Sequence, residues 1–368
     1  MRKFFKRFHK WLAIPAGLII SITCLSGAIL VFQQEILELC NPEHYFVKEA
    51  KEQPIPLGQL IPIVNTQLDS TTVSDVRIFS DPSRTYTMTL SDGFRESIFV
   101  NPYTGEITGS YKARESAFWT VMSIHRWLMD GSRTWGKYTV GIATLLFAFI
   151  LISGFFLWIP RSKKKLKNYF TIKTKSGRKR LFYDLHNVLG FYAGLVLLVC
   201  ALTGLMWSFE WYRNGVFKIF GTEAPAQRAH TRGGDKPDSE KKKKEINTIH
   251  WQTILSALQV SNPGYEYIRV QDGAATIHMA SSFRSRATDK YDFDKKTGEI
   301  TKVTLYGQQP KTTQIWGFAY SLHVGNYWGM WSKIFTFIAA MIGASLPITG
   351  YYLFFVKKKK KKKKADRE

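Results

Sequence analysis

An α-helical membrane protein is the fold class that this 368-residue sequence predicts: a four-helix transmembrane bundle from two tandem repeats, each with an extracytoplasmic α+β module. Three observations predict it. Apolar residues are gathered into four long blocks, although the mean hydropathy of the chain is slightly negative. Basic residues crowd beside alternate ends of those blocks. The second half of the chain restates the first, motif by motif.

The blocks are 11–33, 139–159, 187–210 and 333–356. Each holds about twenty residues or more, enough to cross roughly 30 Å of hydrocarbon. Pro15, Pro347 and the internal glycines do not disqualify them, since both residue types occur in membrane helices. The first block reads as a retained helix. Its apolar run is too long for a signal peptide, and no small-x-small cleavage site follows it before Gln33-Gln34-Glu35. The net charge of +24 is concentrated at the N-terminus, in the loop 161–180 and in the lysine tail 357–368. Four alternating helices place these on one side, cytoplasmic by the positive-inside rule, together with both termini. The connections 34–138 and 211–332 then face the other side. The run Lys241–Lys244 does not oppose this, because long loops translocate largely regardless of charge. Lysines beside membrane helices answer an anionic lipid surface, so the partner they imply is the bilayer and not nucleic acid.

Repeat 1 covers 1–160 and repeat 2 covers 181–356. His9 aligns with His186, Leu12 with Leu189, Gly17 with Gly194, Gly27 with Gly204 and Phe32 with Phe209. "ISGFFLW" (152–158) answers "ITGYYLF" (348–354), and "SIHRWLMDGSRTWGK" answers "SLHVGNYWGMWSK". Between the helices, "FVNPYTGEITGS" answers "DFDKKTGEITKV", so TGEIT occurs in both connections. Each connection predicts a helix (56–69; 248–260) and then alternating strands: "DVRIFS", "TYTMTL" and "SIFVNP"; "YEYIRV", "ATIHMA" and "KYDFD". Gly105 and Gly298 supply turns between strands. The polar segment 221–247 predicts a flexible insertion.

In this set of motifs the chain resembles the PepSY-associated membrane-helix proteins, also described as iron-regulated membrane proteins. The resemblance rests on "LHNVLG" (185–190), "HRW" (125–127), "LHVG" (322–325), the Ser/Thr-Gly pairs in all four apolar helices and the two TGE turns. It implies PepSY-like modules in the two connections and a place in a bacterial inner membrane. The first helix departs from the family pattern in reading "FHKWLAIPAG".

Four of the eight histidines stand at helix entries: His9, His125, His186 and His323. Alternation puts His9 and His186 at one membrane face and His125 and His323 at the other. A lone histidine there is simply an amphipathic interfacial ring. Four matched pairwise by a repeat point instead to ligation, since neutral imidazole is the commonest metal ligand and bundles build cofactor sites from facing side chains. Zinc ordinarily takes three or four protein ligands, whereas two axial imidazoles complete a haem iron. The expectation is therefore two b-type haems, one on His9 and His186 and one on His125 and His323. No C-x-x-C-H motif for covalent attachment is present. Gly17 and Gly194 lie about two turns beyond His9 and His186, where a missing side chain leaves room for a macrocycle or serves close helix packing. Arg126, Lys137 and Lys333 are candidate partners for haem propionates beside His125 and His323, or anchors at the interface.

Cys24, Cys40 and Cys200 suggest no disulfide, and no hydrolytic constellation stands out. Asp184, two residues before His186, is placed to orient a neighbour. His44, His230, His250 and His278 show no metal-ligand spacing. Family resemblance adds the acceptor: a ferric siderophore or other ferric chelate in the periplasm, fed by an unidentified cytoplasmic or quinol electron donor. The alternative is a non-enzymatic, membrane-anchored PepSY binding module that holds a peptidase or an envelope ligand.

Overall fold

The computed structural model describes residues 1–69, 71–91, 96–160, 167–225, 246–282 and 284–365, with side chains from 357 onward and at 167–168 left aside. The Lys241–Lys244 run, His230 and most of the expected insertion lie outside the described residues. In chain order the first half forms helices α1 (Arg2–Val31), α2 (Gln33–Cys40), α3 (Pro42–Tyr45) and α4 (Leu57–Thr66), then strands β1 (Val73–Phe79), β2 (Tyr86–Leu90), β3 (Glu96–Val100) and β4 (Ile107–Lys112). Helices α5 (Ala117–Trp127), α6 (Trp135–Trp158), α7 (Lys167–Phe170), α8 (Arg178–Asp184), α9 (Gly190–Ser208) and α10 (Glu210–Ile219) follow. A π-helical turn, Leu185–Leu189, joins α8 to α9. The rest is α11 (Trp251–Ser261), β5 (Tyr265–Gln271), β6 (Ala274–Met279), β7 (Thr288–Phe293), β8 (Ile300–Thr304), α12 (Lys311–Val324) and α13 (Gly329–Ala365).

The chain divides into two compact units, one made of Met1–Gln33, Ala117–Phe220 and Ala319–Glu368, the other of Gln34–Ser116 and Gly221–Phe318. In the first, four helices are long and apolar enough to cross a membrane: Arg2–Val31, Trp135–Trp158, Arg178–Ser208 and Gly329–Val356. They begin ahead of the apolar blocks of the sequence. Arg, Lys and Phe are adequate helix formers, so intrahelical hydrogen bonding runs on past the stretch that hydropathy marks. The spans close a ring in which α1 packs on α6 and α13, and α9 packs on the same two. Their core is rich in small residues (Ala16, Ala143, Ala148, Ala193, Ala201, Ala339) around Ile20, Phe147, Leu151 and Leu197. Small side chains let helix backbones approach closely where lipid leaves no hydrophobic drive for association. Hydroxyl contacts add to this, as where Ser21 Oγ donates to the Ala344 carbonyl at 2.8 Å. The N-terminus of α6 is capped from outside: Asp130 accepts from the Thr134 and Gly136 amides at 2.8 and 3.0 Å.

The second unit is one antiparallel sheet in the order β4-β3-β2-β1-β5-β6-β7-β8. The sequence predicts a module in each half; the strands of both halves join instead, through β1 paired with β5 over Asp75↔Gln271 to Phe79↔Tyr267. A four-stranded sheet alone would leave β1 and β5 as edges with unpaired amides and carbonyls, and their pairing removes both. One face is covered by α4 and α11. Leu57, Leu60, Ile61 and Val64 meet Val76, Ile78, Met88 and Ile98, while Trp251, Ile254 and Leu258 meet Ile268, Val270 and Ile277. On the opposite face of the seam Asp75, buried, takes two hydrogen bonds from Arg269 Nε and Nη2 at 2.8 and 2.7 Å. The two TGE turns are built alike. Gly105 and Gly298 adopt φ of 76° and 75°, and their amides donate to Asn101 and Asp294 carbonyls, both at 2.9 Å. Arg84, between β1 and β2, pairs with Glu38 of α2 at 2.8 Å.

Candidate functional site

Each of the four histidines approaches a neighbouring helix at the same local motif. His9 on α1 sets Nδ1 against the Ile150 carbonyl at 3.0 Å and Ser153 Oγ at 3.0 Å. His186, in the π-helical turn, does the same to the Leu346 carbonyl at 3.1 Å and Thr349 Oγ1 at 2.9 Å. His125 on α5 meets the Thr23 carbonyl at 2.9 Å and Ser26 Oγ at 3.3 Å. His323 on α12 meets the Cys200 carbonyl at 2.9 Å and Thr203 Oγ1 at 3.1 Å. Every hydroxyl in this set bonds back to the carbonyl three residues before it, at 2.8 to 3.1 Å.

The residue after each hydroxyl is glycine, and each imidazole edge lies over it. A Cβ on Gly27 would stand 2.9 Å from His125 Cε1, and one on Gly204 would stand 3.0 Å from His323 Cε1. At Gly154 and Gly350 the corresponding distances to His9 and His186 are 3.5 and 3.4 Å, ordinary contact. The Ser/Thr-Gly pairs visible in the sequence thus serve a hydroxyl-and-carbonyl clamp beside a small residue that admits the ring.

The clamp fixes the chemistry of the free nitrogen. Carbonyls only accept, so Nδ1 carries the proton in each neutral ring and Nε2 is left with its lone pair. Among the described residues none of the four Nε2 atoms has a hydrogen-bond partner. The rings are paired: His9 and His186 lie with centres 6.2 Å apart and planes at 85°, His125 and His323 with centres 6.1 Å apart and planes at 57°. Two imidazoles bound to opposite sides of one metal ion, with metal–nitrogen bonds of about 2 Å, have ring centres roughly 6 Å apart. Each pair therefore presents two neutral imidazoles at about that separation. Among the described residues no group of three or more His, Cys, Asp or Glu side chains gathers as a metal site, which is the arrangement zinc would ask for. The two pairs lie about 25 Å apart along α1, from the level of His9 to that of Thr23–Gly27, at 1.5 Å per residue.

His125 and His323 lie outside the four apolar spans, on helices of their own. Burial pushes both below the usual imidazole range, His323 to about 4, and the Arg126 guanidinium acts on both in the same direction. Trp207 packs against the His323 ring at 5.3 Å.

Other expected site residues are placed differently. Gly17 and Gly194 do not face the rings: a Cβ on Gly17 would meet Tyr351 Oη at 2.5 Å, and one on Gly194 would meet Phe155 Cζ at 2.8 Å. They are seats for neighbouring aromatic side chains. Arg126 lies exposed over the Trp127 ring at 5.2 Å, and Lys137 beside the Tyr138 ring at 5.9 Å. Lys333 is half-buried on α13. Asp184 is buried and held by Arg180 Nε at 2.9 Å and the Lys173 amide at 3.1 Å, so it ties the segment before α8 to that helix. His125 and His323 are not at the entries of the second spans but near the ends of the helices before them, which brings them alongside α1 and α9.

The fold and this site define a helical membrane protein with paired imidazoles at two levels of its bundle and an antiparallel sheet unit. The family model of the PepSY-associated TM region matches residues 6–358, and the chain belongs to that family. No curated protein matches the chain.

Proposed function

We propose that the protein is a b-type haem carrier of the bacterial inner membrane, passing electrons from a cytoplasmic or quinol donor to a ferric siderophore or other ferric chelate in the periplasm. The observation that carries this reading is the pairing of four Nδ1-clamped imidazoles at 6.2 and 6.1 Å, with each Nε2 left as a donor. Haem bound there supplies one-electron exchange at each pair.

The residues of the chain do the rest. His9 and His186 hold one centre; His125 and His323 hold the other. Ser153, Thr349, Ser26 and Thr203 orient the rings, and Arg126, Lys137 and Lys333 are candidate cations for the second centre. The like surroundings of the equivalent histidines and the outward order of strands on either side of β1 and β5 support tandem duplication of one unit. With the basic segments in the cytoplasm, both termini and the His9–His186 pair are on that side.

The test is direct. Purified protein is reduced with dithionite, freed of excess reductant, and mixed anaerobically with a ferric hydroxamate chelate in the presence of a ferrous-specific chelator. Haem reoxidation with matching ferrous capture is the expected result. Reduced haem that stays reduced in the presence of several ferric chelates would refute this substrate class.

A further inference from the structure

The turn between α5 and α6 carries cations that its counterpart in the second half lacks. Residues 117–138 hold Arg126, Arg133 and Lys137 against a single acid, Asp130, whereas residues 319–334 hold Lys333 alone. Asp130 is buried, and its carboxylate is engaged by Ser132 and by the Thr134 and Gly136 amides. Arg133 is exposed; its guanidinium lies 4.7 Å from the centre of the Trp127 ring and 5.7 Å from that of Trp119. The Arg126 guanidinium lies 5.2 Å from the same Trp127 ring, which is buried. Among the described residues no oxygen accepts a hydrogen bond from the Arg133 side chain.

The backbone holds these groups in place under strain. Leu128, Met129 and Arg133 adopt φ of 51°, 61° and 55°, the left-handed region that non-glycine residues rarely enter. The turn after α12 meets the same need with Gly325 and Gly329, at 77° and 61°. Basic residues at the other end of α6, in 161–180, already supply the charge bias that orients a membrane helix, so topology does not call for Arg126 and Arg133.

The surface that continues from this turn is apolar. Trp135, Tyr138, Ile142, Phe149, Ile152 and Phe156 are exposed and fall at helical spacing along one face of α6. Trp331, Ile338 and Ile348, at matching positions of α13, are exposed as well. Both faces have the composition of a lipid-facing surface, but only the one on α6 begins beside two guanidiniums. Guanidinium forks pair with phosphate oxygens, and cations beside a membrane helix attract anionic lipid. We propose that the Arg126–Arg133 turn and the exposed face of α6 form a binding site for one anionic phospholipid. Its phosphate is held by the two arginines, and an acyl chain lies along Tyr138 and Ile142. The site needs no haem and stands apart from the electron-transfer reading.

The experiment places the full-length protein in phosphatidylcholine nanodiscs doped with phosphatidylglycerol or phosphatidylcholine that carries a diazirine in the upper acyl chain. After illumination, mass spectrometry of the digested protein compares labelling around Ile142 with labelling around Ile338. The unsubstituted chain, Arg133→Asn and Arg133→Lys are compared; asparagine tolerates the left-handed backbone and removes only the charge. Labelling by the phosphatidylglycerol probe relative to the phosphatidylcholine probe is expected to be greater at Ile142 than at Ile338. Arg133→Asn lowers that ratio at Ile142 about five-fold, the effect of one cation at an anionic lipid surface, and leaves Ile338 unchanged. Arg133→Lys retains part of the preference. Equal ratios at the two helices, or a ratio at Ile142 that Arg133→Asn does not move, would overturn the site. So would equal loss of labelling by both probes in Arg133→Asn, which would leave the arginine only a role in holding the turn. A preference abolished by added inorganic phosphate would overturn the lipid assignment in favour of a soluble anion.

Discussion

His9 and His186, far apart in the chain, face one another with ring centres 6.2 Å apart and planes at 85°. Each Nδ1 is pinned to a carbonyl of the helix beside it, Ile150 for one and Leu346 for the other. An imidazole held this way has one nitrogen left for chemistry, and the pairing repeats at His125 and His323.

Loss of one ligand should therefore remove one centre and spare the other. His186→Ala is expected to halve the haem bound per chain, leaving one reduction wave of the two. Quantified haem and a redox titration on the same sample check this. Unchanged haem in a correctly inserted variant would take His186 out of the ligand set.

The glycines under the rings are unequal, and substitutions should reveal it. Alanine at Gly27 or Gly204 brings a Cβ to 2.9 or 3.0 Å from an imidazole carbon, so the ring has to shift and haem at that pair is weakened or lost. Alanine at Gly154 meets His9 at 3.5 Å, an ordinary contact, and leaves haem content unchanged. Visible spectra and haem content of the three variants, compared side by side, decide the matter. Equal loss at Gly154 would mean that sterics at the ring edge are not what these glycines provide.

The sheet unit carries a pH-dependent contact of its own. His278 is buried, with Nδ1 2.9 Å from Glu266 Oε2 and Nε2 3.0 Å from the Arg284 carbonyl. Burial alone would lower its pKa, but the Glu266 carboxylate beside it and the Arg284 carbonyl raise it overall, while His278 is the main cause that lowers that of Glu266. A raised histidine contributes stability that is full below about pH 6.5 and is lost as pH rises through the folded value. A lowered glutamate contributes stability present above about pH 4.3 and lost as pH falls through its folded value. Glu266 is half exposed, so the pair contributes about 1 kcal/mol or less. Protection factors of β5 and β6, taken from exchange corrected for its intrinsic pH dependence, should be greatest between those limits and should lose this dependence in Glu266→Gln. A flat profile in the unsubstituted protein would contradict it.

Asp75 sits at the seam that joins the strands of the two halves. Asp75→Ala leaves Arg269 without its bidentate partner beside a buried position, at an expected cost of about 2 kcal/mol, reduced from a fully buried pair because Arg269 is partly exposed. Faster exchange in β1 and β5 than in β3 and β7 is the expected pattern. Uniform acceleration across all eight strands would mean that the pair stabilises the sheet as a whole and not its seam.

Much of this architecture was legible in the residues, for identifiable reasons. Membrane spans announce themselves because lipid demands about twenty apolar residues in a row. The matched positions of His9 with His186 and His125 with His323 pointed to pairing before any contact was known. Strands β4 and β8 leave little trace in the sequence beyond the turns before them, because both are edge strands with little buried surface, "ITGSYK" and "ITKVT", and carry almost no alternating signal. The joining of the two halves into one sheet is not legible in the sequence, because nothing in β1 or β5 marks its partner. Gly17 and Gly194 were drawn in by their spacing from a histidine on the same helix, whereas the rings lie over glycines of neighbouring helices. The signal for those was present, in the hydroxyl-glycine pairs Ser26-Gly27, Ser153-Gly154, Thr203-Gly204 and Thr349-Gly350; reading it required knowing which helices touch.

The central claim, that the four histidines hold haem iron in two pairs, is tested most directly by one measurement. It is the dithionite-reduced minus air-oxidised absorption spectrum of the detergent-purified protein, with haem quantified per chain. The account predicts sharp reduced α and Soret bands and about two haems per chain. A colourless protein, purified from cells with ample haem, would contradict it.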